Sequence, residues 1–294
     1  MTEQAIKENA YRELTEQALN TLCGEYLPES SEVCRAARYS LLGGGKRVRG
    51  ILVLAACELL GGSVQQAAPL AAGIEMLHCY SLIHDDLPCM DNDDFRRGRP
   101  SCHKAFGEAT ALLAGDALLT AAFELISDAP LPAGARADAV KCLAFAAGGR
   151  GMVLGQELDL RIERGPASEE ELRAVHRGKT GALINAAVQM GAAAAGAGGE
   201  DRAALEAYAF DLGLVFQIVD DVLDVTSTRQ ALGKPAGSDA ANGKTTFATL
   251  YGPQKAMELA GQVTARACGA LEERYGARAG FLCALAQSLL RRDH

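Results

Sequence analysis

Two short stretches place carboxylates where a helix has least use for them. The first, LIHDDLPCMDNDDFRRGRP at 82–100, ends an apolar run with Asp85, Asp86, Asp91, Asp93 and Asp94 and follows them with Arg96, Arg97 and Arg99. The second, FQIVDDVLDV at 216–225, sets Asp220, Asp221 and Asp224 inside an otherwise apolar segment. Like charges this dense repel one another, and burying carboxylates without compensation is costly. The simplest compensation is a hard divalent cation, which prefers oxygen ligands. Mg2+ is usually held by one or two carboxylates and completes its octahedron with substrate phosphates and water. Two aspartate clusters facing each other across a cavity would therefore make a metal-bridged site for a polyphosphate, an anion that the aspartates alone would repel.

The spacing says how helices would present these groups. Residues seven apart differ by about 20° on an α-helix, so on a helix starting near Val64, His78 and Asp85 share a face two turns apart. Pro88 loosens the last turn, which lets Asp91 return to the same side. In the second stretch Asp220 and Asp224 are spaced i, i+4, with Gln217 and Gly213 on the same stripe one and two turns earlier. A single DDxxD is most often a solvated acidic face. Apolar flanks and a second such cluster in one chain argue against that here.

A phosphate ligand also needs cations, and basic residues stand near turns. GGGKRVR supplies Lys46, Arg47 and Arg49, FRRGRP supplies Arg96, Arg97 and Arg99, HRGKTG supplies Lys179 beside Thr180, and the GKPAG…NGKTT stretch supplies Lys234 and Lys244. Arginine offers a planar bidentate fork to phosphate and lysine a mobile point charge. GGGKRVR is not a P-loop, because Arg47 follows Lys46 where Ser or Thr would hold Mg2+. DNDDFRRG is not an EF-hand loop, because Arg96 takes the position that needs glycine.

The elements that must position these groups read as helices throughout. The chain has 294 residues, 49% of them hydrophobic and only 5% aromatic, with no Trp. Ala and Leu, both strong helix formers, dominate. Ser63 with Gln66 and Ser168 with Glu171 fit capping boxes. Short breaks fall at 42–47, 61–62, 88–100, 127–138, 161–168, 196–201 and 233–244, and none is long or polar enough to be a linker. The expectation is an all-α protein with a single domain over 1–294. A net charge of −8 argues against affinity for nucleic acid or anionic membrane. Nine cysteines without a CxxC pair read as buried thiols in a reducing compartment. The N-terminus lacks the signs of a signal or transit peptide, and no apolar run reaches a membrane span without a charge or turn signal. A cytoplasmic protein is expected.

In this order and spacing, GGGKRVR, HCYSLIHDDLPCMDNDDFRRGRP, GEATALLAGDALL, GMVLGQELDL, HRGKTGALI, FQIVDDVLDV and GKPAGSDAANGKTT resemble the short-chain trans-isoprenyl diphosphate synthases. The resemblance runs from about residue 35 to the C-terminus and is closest to the bacterial farnesyl diphosphate synthases. It implies a large helical bundle around a central cavity, a homodimer, three Mg2+ ions, and condensation of isopentenyl diphosphate onto an allylic diphosphate. Position by position it implies that Asp85 and Asp91, with Asp86 beside them, bind two metals and that Asp220 and Asp224 hold the third. It places Lys46, Arg49, His78 and Arg97 at the isopentenyl diphosphate, and Arg96, Lys179, Thr180, Gln217, Lys234 and Lys244 at the allylic diphosphate. Gln156 and Asp159 also match. Gly50 stands where the family commonly has proline, a departure that bears on the rigidity of that turn.

Product length is the finer question. On an ideal helix Ser81 lies directly beneath Asp85 at i−4, while Tyr80, roughly 7 to 8 Å below Asp85, is turned well off that face, so geometry alone does not select it. An aromatic at 80, with extra residues inside the first motif, resembles the C15-producing type. The CMDNDD wording also resembles C20-producing relatives, so geranylgeranyl diphosphate stays open. A terpene cyclase or a non-catalytic subunit of a heteromeric prenyltransferase would each be expected to lack one of the features present here.

Overall fold

The structure is a computed structural model that describes residues 2–163, 165–226 and 245–292. Among those residues the only strands are β1 (Phe95–Arg96) and β2 (Arg99–Pro100), paired antiparallel with Arg96 opposite Arg99. Everything else that is regular is helical. The backbone gathers into two compact units, one of Met1–Leu143 with Met190–Ala197 and the other of Ala144–Gln189 with Gly198–His294.

In the first unit, α1 (Glu3–Tyr26), α2 (Glu32–Leu41), α3 (Val48–Leu59) and α6 (Glu108–Ser127) pack against α4 (Val64–Asp85), and α5 (Cys102–Phe106) sits beside α6. A helix that is apolar on most of its circumference belongs in the middle of a bundle. α4 is such a helix, buried from Ala67 to Leu77 apart from Pro69 and again at Cys79, Tyr80 and Ile83. Ser63 caps it by accepting from the Gln66 N–H at 3.4 Å.

The start of α3 is built from distant parts. Arg47, 2% exposed and in the left-handed region at φ 51°, donates to Glu16 at 2.7 Å and to the Leu41 carbonyl at 2.7 Å. Gly50 lies inside the first turn of α3, not in the preceding turn, and its N–H donates to the buried Glu75 carboxylate at 2.9 Å. A Cβ on Gly50 would stand 2.6 Å from the Thr15 methyl. Proline here would remove the donor and place a ring in that contact. Gly50→Pro should therefore lower unfolding stability by about 2 to 5 kcal/mol, combining a lost charge-assisted bond with overpacking. Urea denaturation checks this, and an unchanged midpoint would show that the contact carries no stability.

In the second unit, α11 (Gly199–Thr226) runs against α13 (Pro253–Tyr275), with α8 (Met152–Ile162), α9 (Glu169–His176), α12 (Phe247–Tyr251) and α14 (Gly280–Leu290) around them. Val215, Ile218, Val219 and Val222 of α11 share a core with Phe247 and Val263. The Ser168–Glu171 capping box is complete in both directions, at 3.2 and 2.8 Å. The unit boundaries fall within α7 (Ala133–Ala147), within α10 (Ala182–Ala194) and between α10 and α11. α6 is long and apolar enough, by length and composition, to cross a membrane, although it carries Glu108, Asp116 and Glu124.

Candidate active site

In the first unit, α4 ends at Asp85 and the chain folds back on itself. The Asp91 N–H donates to the Asp85 carbonyl at 2.8 Å, and Met90 and Asn92 both donate to Leu87. This loop carries Asp91 back beside Asp85. Both are at least partly exposed, whereas Asp86 is 2% exposed. Asp86 accepts from Arg96 Nε at 3.0 Å and from its Nη2, and Arg96 also reaches Asp93 at 3.4 Å. Desolvation opposes the charge on Arg96, but the Asp86 carboxylate holds its pKa above the ordinary value. Asp86, which the resemblance sets beside the metal-binding Asp85 and Asp91, serves here as the counter-ion of Arg96.

Arg97 and Gly98 form the two-residue turn of the β1–β2 hairpin, with φ of 54° and 73°. Positive φ at both central positions gives the tight turn that matches strand twist. It sends the Arg97 side chain to the glycine loop, where it donates to the Gly44 carbonyl. A Cβ on Gly45 would stand 2.9 Å from the Arg97 guanidinium carbon, so the guanidinium lies directly on the backbone there. Arg96, Arg97 and Arg99 line one small cavity of about 30 Å3 with Tyr39, Cys79 and Asp86.

The basic residues of GGGKRVR divide their tasks. Arg47 is consumed by Glu16 and Leu41, as described. Lys46 is exposed, and Arg49 is half-buried with its Nε lacking any hydrogen-bond partner. Burial lowers the pKa of Arg49, Glu75 opposes that, and Arg97 adds to it. Burial, followed by Arg49, Arg97, Arg47 and Arg96, also holds His78 well below its ordinary 6.5. The sign follows from proton counting: below pH 6.5 the unfolded chain takes up a proton that folded His78 refuses. Stability contributed by neutral His78 is present above that pH and is lost as pH falls below it, by at most about 1.4 kcal/mol per unit. Urea midpoints measured downward from pH 7 should fall less steeply in His78→Gln than in the wild type. Identical slopes would contradict a neutral His78.

Tyr80 is buried at 8% exposure and meets the His84 ring edge-on at 5.5 Å. Ser81, its neighbour in the product-length reading, donates its hydroxyl to the His78 carbonyl at 2.9 Å. Cys79 is buried, and desolvation pushes its thiol up to about 12, so it stays protonated near neutral pH; Cys89 is exposed.

In the second unit a π-helical turn, Arg177–Gly181, interrupts the path from α9 to α10. Such turns often mark functional positions. Gly155 of α8 presses against it, since a Cβ there would lie 2.0 Å from the Lys179 nitrogen. One turn along α8, buried Asp159 receives Lys179 Nζ at 2.6 Å. Thr180 donates to Gln217 at 2.5 Å. Three turns of α11 then follow the pattern of the first cluster. Asp220 and Asp224 are partly exposed, while Asp221, at 8%, accepts the Phe247 N–H at 2.8 Å and lies 3.9 Å from His176. Lys234 and Lys244 lie outside the described residues.

Arg292 was not anticipated from the sequence. It donates to Asp220 and, at 2.9 Å, to the Phe216 carbonyl, and its guanidinium lies 4.0 Å from the centre of the Phe216 ring. Nothing in the local pattern RRD marks it, because its partners are more than 70 positions away.

The pairs Asp85/Asp91 and Asp220/Asp224, all at least partly exposed, are hard oxygen donors suited to Mg2+. Among the described residues no three His, Cys, Asp or Glu side chains form a ready cage. An ion held by two carboxylates would take its remaining oxygens from phosphate and water, which is ordinary Mg2+ chemistry.

The sequence pattern of the polyprenyl synthetase family matches residues 30–274. Geranylgeranyl pyrophosphate synthase 7, chloroplastic, of Arabidopsis thaliana is 42% identical over 98% of this chain and 82% of its own length. The farnesyl diphosphate synthase of Geobacillus stearothermophilus is 44% identical over 82% of this chain and 84% of its own length. The crystal structure of a Helicobacter pylori geranyltransferase, complexed with magnesium and isoprenyl diphosphate, superposes with a TM-score of 0.86 at 35% identity, covering 97% of this chain and 98% of that one.

Proposed function

We propose, for a chain that belongs to the polyprenyl synthetase family and is a trans-prenyltransferase of all-α isoprenoid synthase fold, that its product is the C15 farnesyl diphosphate. The substrates are isopentenyl diphosphate and an allylic starter, dimethylallyl or geranyl diphosphate. Residues 1–294 act as one functional domain in the cytoplasm. The observation that carries the C15 reading is Tyr80, a buried aromatic five residues before Asp85, where it would stop the growing chain.

Asp85, Asp91, Asp220 and Asp224 would hold Mg2+, three ions in all, and the bound metal would supply neutralisation of the negative charge on the leaving diphosphate. Asp86 aims Arg96 and Asp159 aims Lys179, so each cation meets the allylic diphosphate already oriented. Thr180 and Gln217 fix the turn that carries Lys179. Arg49, Arg97 and Lys46 grip the diphosphate of isopentenyl diphosphate, and neutral His78 can add a hydrogen bond without a charge. Holding both substrates sets the double bond against the electron-poor carbon before water can reach it. Proton loss restores the alkene, and the departing pyrophosphate can accept that proton.

Geranylgeranyl diphosphate is the second reading, supported by the name of the Arabidopsis relative and by the CMDNDD wording. Chromatography of dephosphorylated products separates the two. The wild type should stop at C15, and Tyr80→Ser should pass on to C20. A wild type that makes C20 would replace the first reading with the second.

A homodimer belongs to the same proposal. α6 presents Leu112 and Leu113 at 47% and 51% exposure, and only 44% of its most apolar window is buried within the chain. A second copy is the occupant that the proposal assigns to this face, and sedimentation equilibrium tests it.

A further inference from the structure

We infer that His84 is a positioning residue for product length, clamping Tyr80 by anchoring α4 to the backbone of α6. The inference rests on the reading of Tyr80 as the stop for the growing chain. A stop works only if it does not swing, since an aromatic side chain free to change rotamer would give way to an advancing prenyl chain.

Tyr80 and His84 are one turn apart on the same face of α4. Their rings meet edge to face, at 5.5 Å with planes at 90°, a favoured aromatic geometry. The far side of the imidazole is fixed as well. His84 Nε2 lies 2.9 Å from the Leu112 carbonyl oxygen. A carbonyl can only accept, so Nε2 carries the proton and donates it. Asp116 Oδ1 stands 3.9 Å from the same nitrogen.

The third observation explains an otherwise costly residue. Gly115 sits inside the 20-residue helix α6, where glycine is less favourable than alanine. A Cβ on Gly115 would lie 2.1 Å from His84 Nε2 and 2.4 Å from its Cδ2. The glycine is the socket that admits the imidazole. Socket, carbonyl anchor and edge contact together link α6 to the Tyr80 ring through one side chain that touches no expected substrate group.

The test compares products from dimethylallyl and isopentenyl diphosphates for the wild type, Tyr80→Ser, His84→Ala and Gly115→Ala, with the first condensation measured separately. His84→Ala creates no clash. It should raise the C20 to C15 ratio about tenfold, the scale on which one apolar contact discriminates, while kcat and KM for the first condensation stay close to wild type. Gly115→Ala should shift the ratio the same way, because its methyl group expels the imidazole. Should that variant fail to fold, the double variant His84→Ala/Gly115→Ala removes the clash and should fold with the lengthened product. A merely structural His84 would lower stability in these variants without moving the ratio. If Tyr80→Ser lengthens the product and His84→Ala does not, the clamp is wrong and the stop stands. If Tyr80→Ser also leaves C15 unchanged, the stop itself is wrong and the clamp falls with it.

Discussion

Replacing Asp85 or Asp220 by Asn should lower kcat by about a hundred- to a thousandfold, the usual loss when one electrostatic stabiliser of a developing anion is removed. The buried neighbours Asp86 and Asp221 should behave differently. In each pair the first aspartate is partly exposed and the second is buried and engaged, Asp86 by Arg96 and Asp221 by the Phe247 N–H. Asp221→Ala should therefore show its first effect on folding, with about 1 to 3 kcal/mol lost because a buried donor is left unsatisfied. Rates measured across a Mg2+ titration, beside urea midpoints, separate the two classes. Asp85→Asn should need more Mg2+ to reach its residual rate, whereas Asp221→Ala should keep the wild-type Mg2+ dependence in whatever fraction folds. Equal Mg2+ profiles for all the variants would deny the exposed aspartates their metal role. Asp220 carries a further consequence, because its replacement also takes from Arg292 its carboxylate partner, with the Phe216 carbonyl still accepting from it.

The second large effect concerns Arg49. Arg49→Gln should raise KM for isopentenyl diphosphate by about ten- to a hundredfold, the equivalent of one or two charge-assisted hydrogen bonds. KM for the allylic starter should change little. Arg49 is half-buried with an Nε that has no hydrogen-bond partner, and it faces the field of Arg97, so the protein bears a cost there that an anion would relieve. Arg47, two positions earlier, is the contrast. Its guanidinium is spent on Glu16 and the Leu41 carbonyl, so Arg47→Gln should reduce stability and leave the KM ratio of the two substrates near wild type. Steady-state kinetics with each substrate varied in turn decides this, and a rise in both KM values for Arg49→Gln would remove its assignment to one diphosphate.

Much of this arrangement was legible in the sequence because it is local. The spacing of Asp220, Asp224 and Gln217 is helical arithmetic, and α11 carries all three. Pro88 announced the break after Asp86, and the chain does fold back to bring Asp91 to Asp85. The Ser168–Glu171 box formed as its letters suggested. What stayed hidden depends on partners far along the chain. Nothing within GGGKRVR tells Arg47 from Arg49, because the difference is set by Glu16, 31 residues earlier, and by Glu75, which binds Gly50 from 25 residues later. The separate tasks within DD at 85–86 and 220–221 follow from which carboxylate turns inward, and that is a packing outcome. Gly50 read as a looser turn and proved to be a helical donor to a buried carboxylate. The π-helical turn at 177–181 has no sequence signature of its own, and the backbone it packs against, at Gly155, lies more than 20 residues earlier.

The most direct test is pyrophosphate release by the purified chain supplied with isopentenyl and dimethylallyl diphosphates, with Mg2+ and then with excess chelator. The account predicts two pyrophosphates for each C15 product, no turnover once the metal is removed, and recovery when Mg2+ is restored. Undiminished release in chelator, or none at all with Mg2+ present, would contradict it.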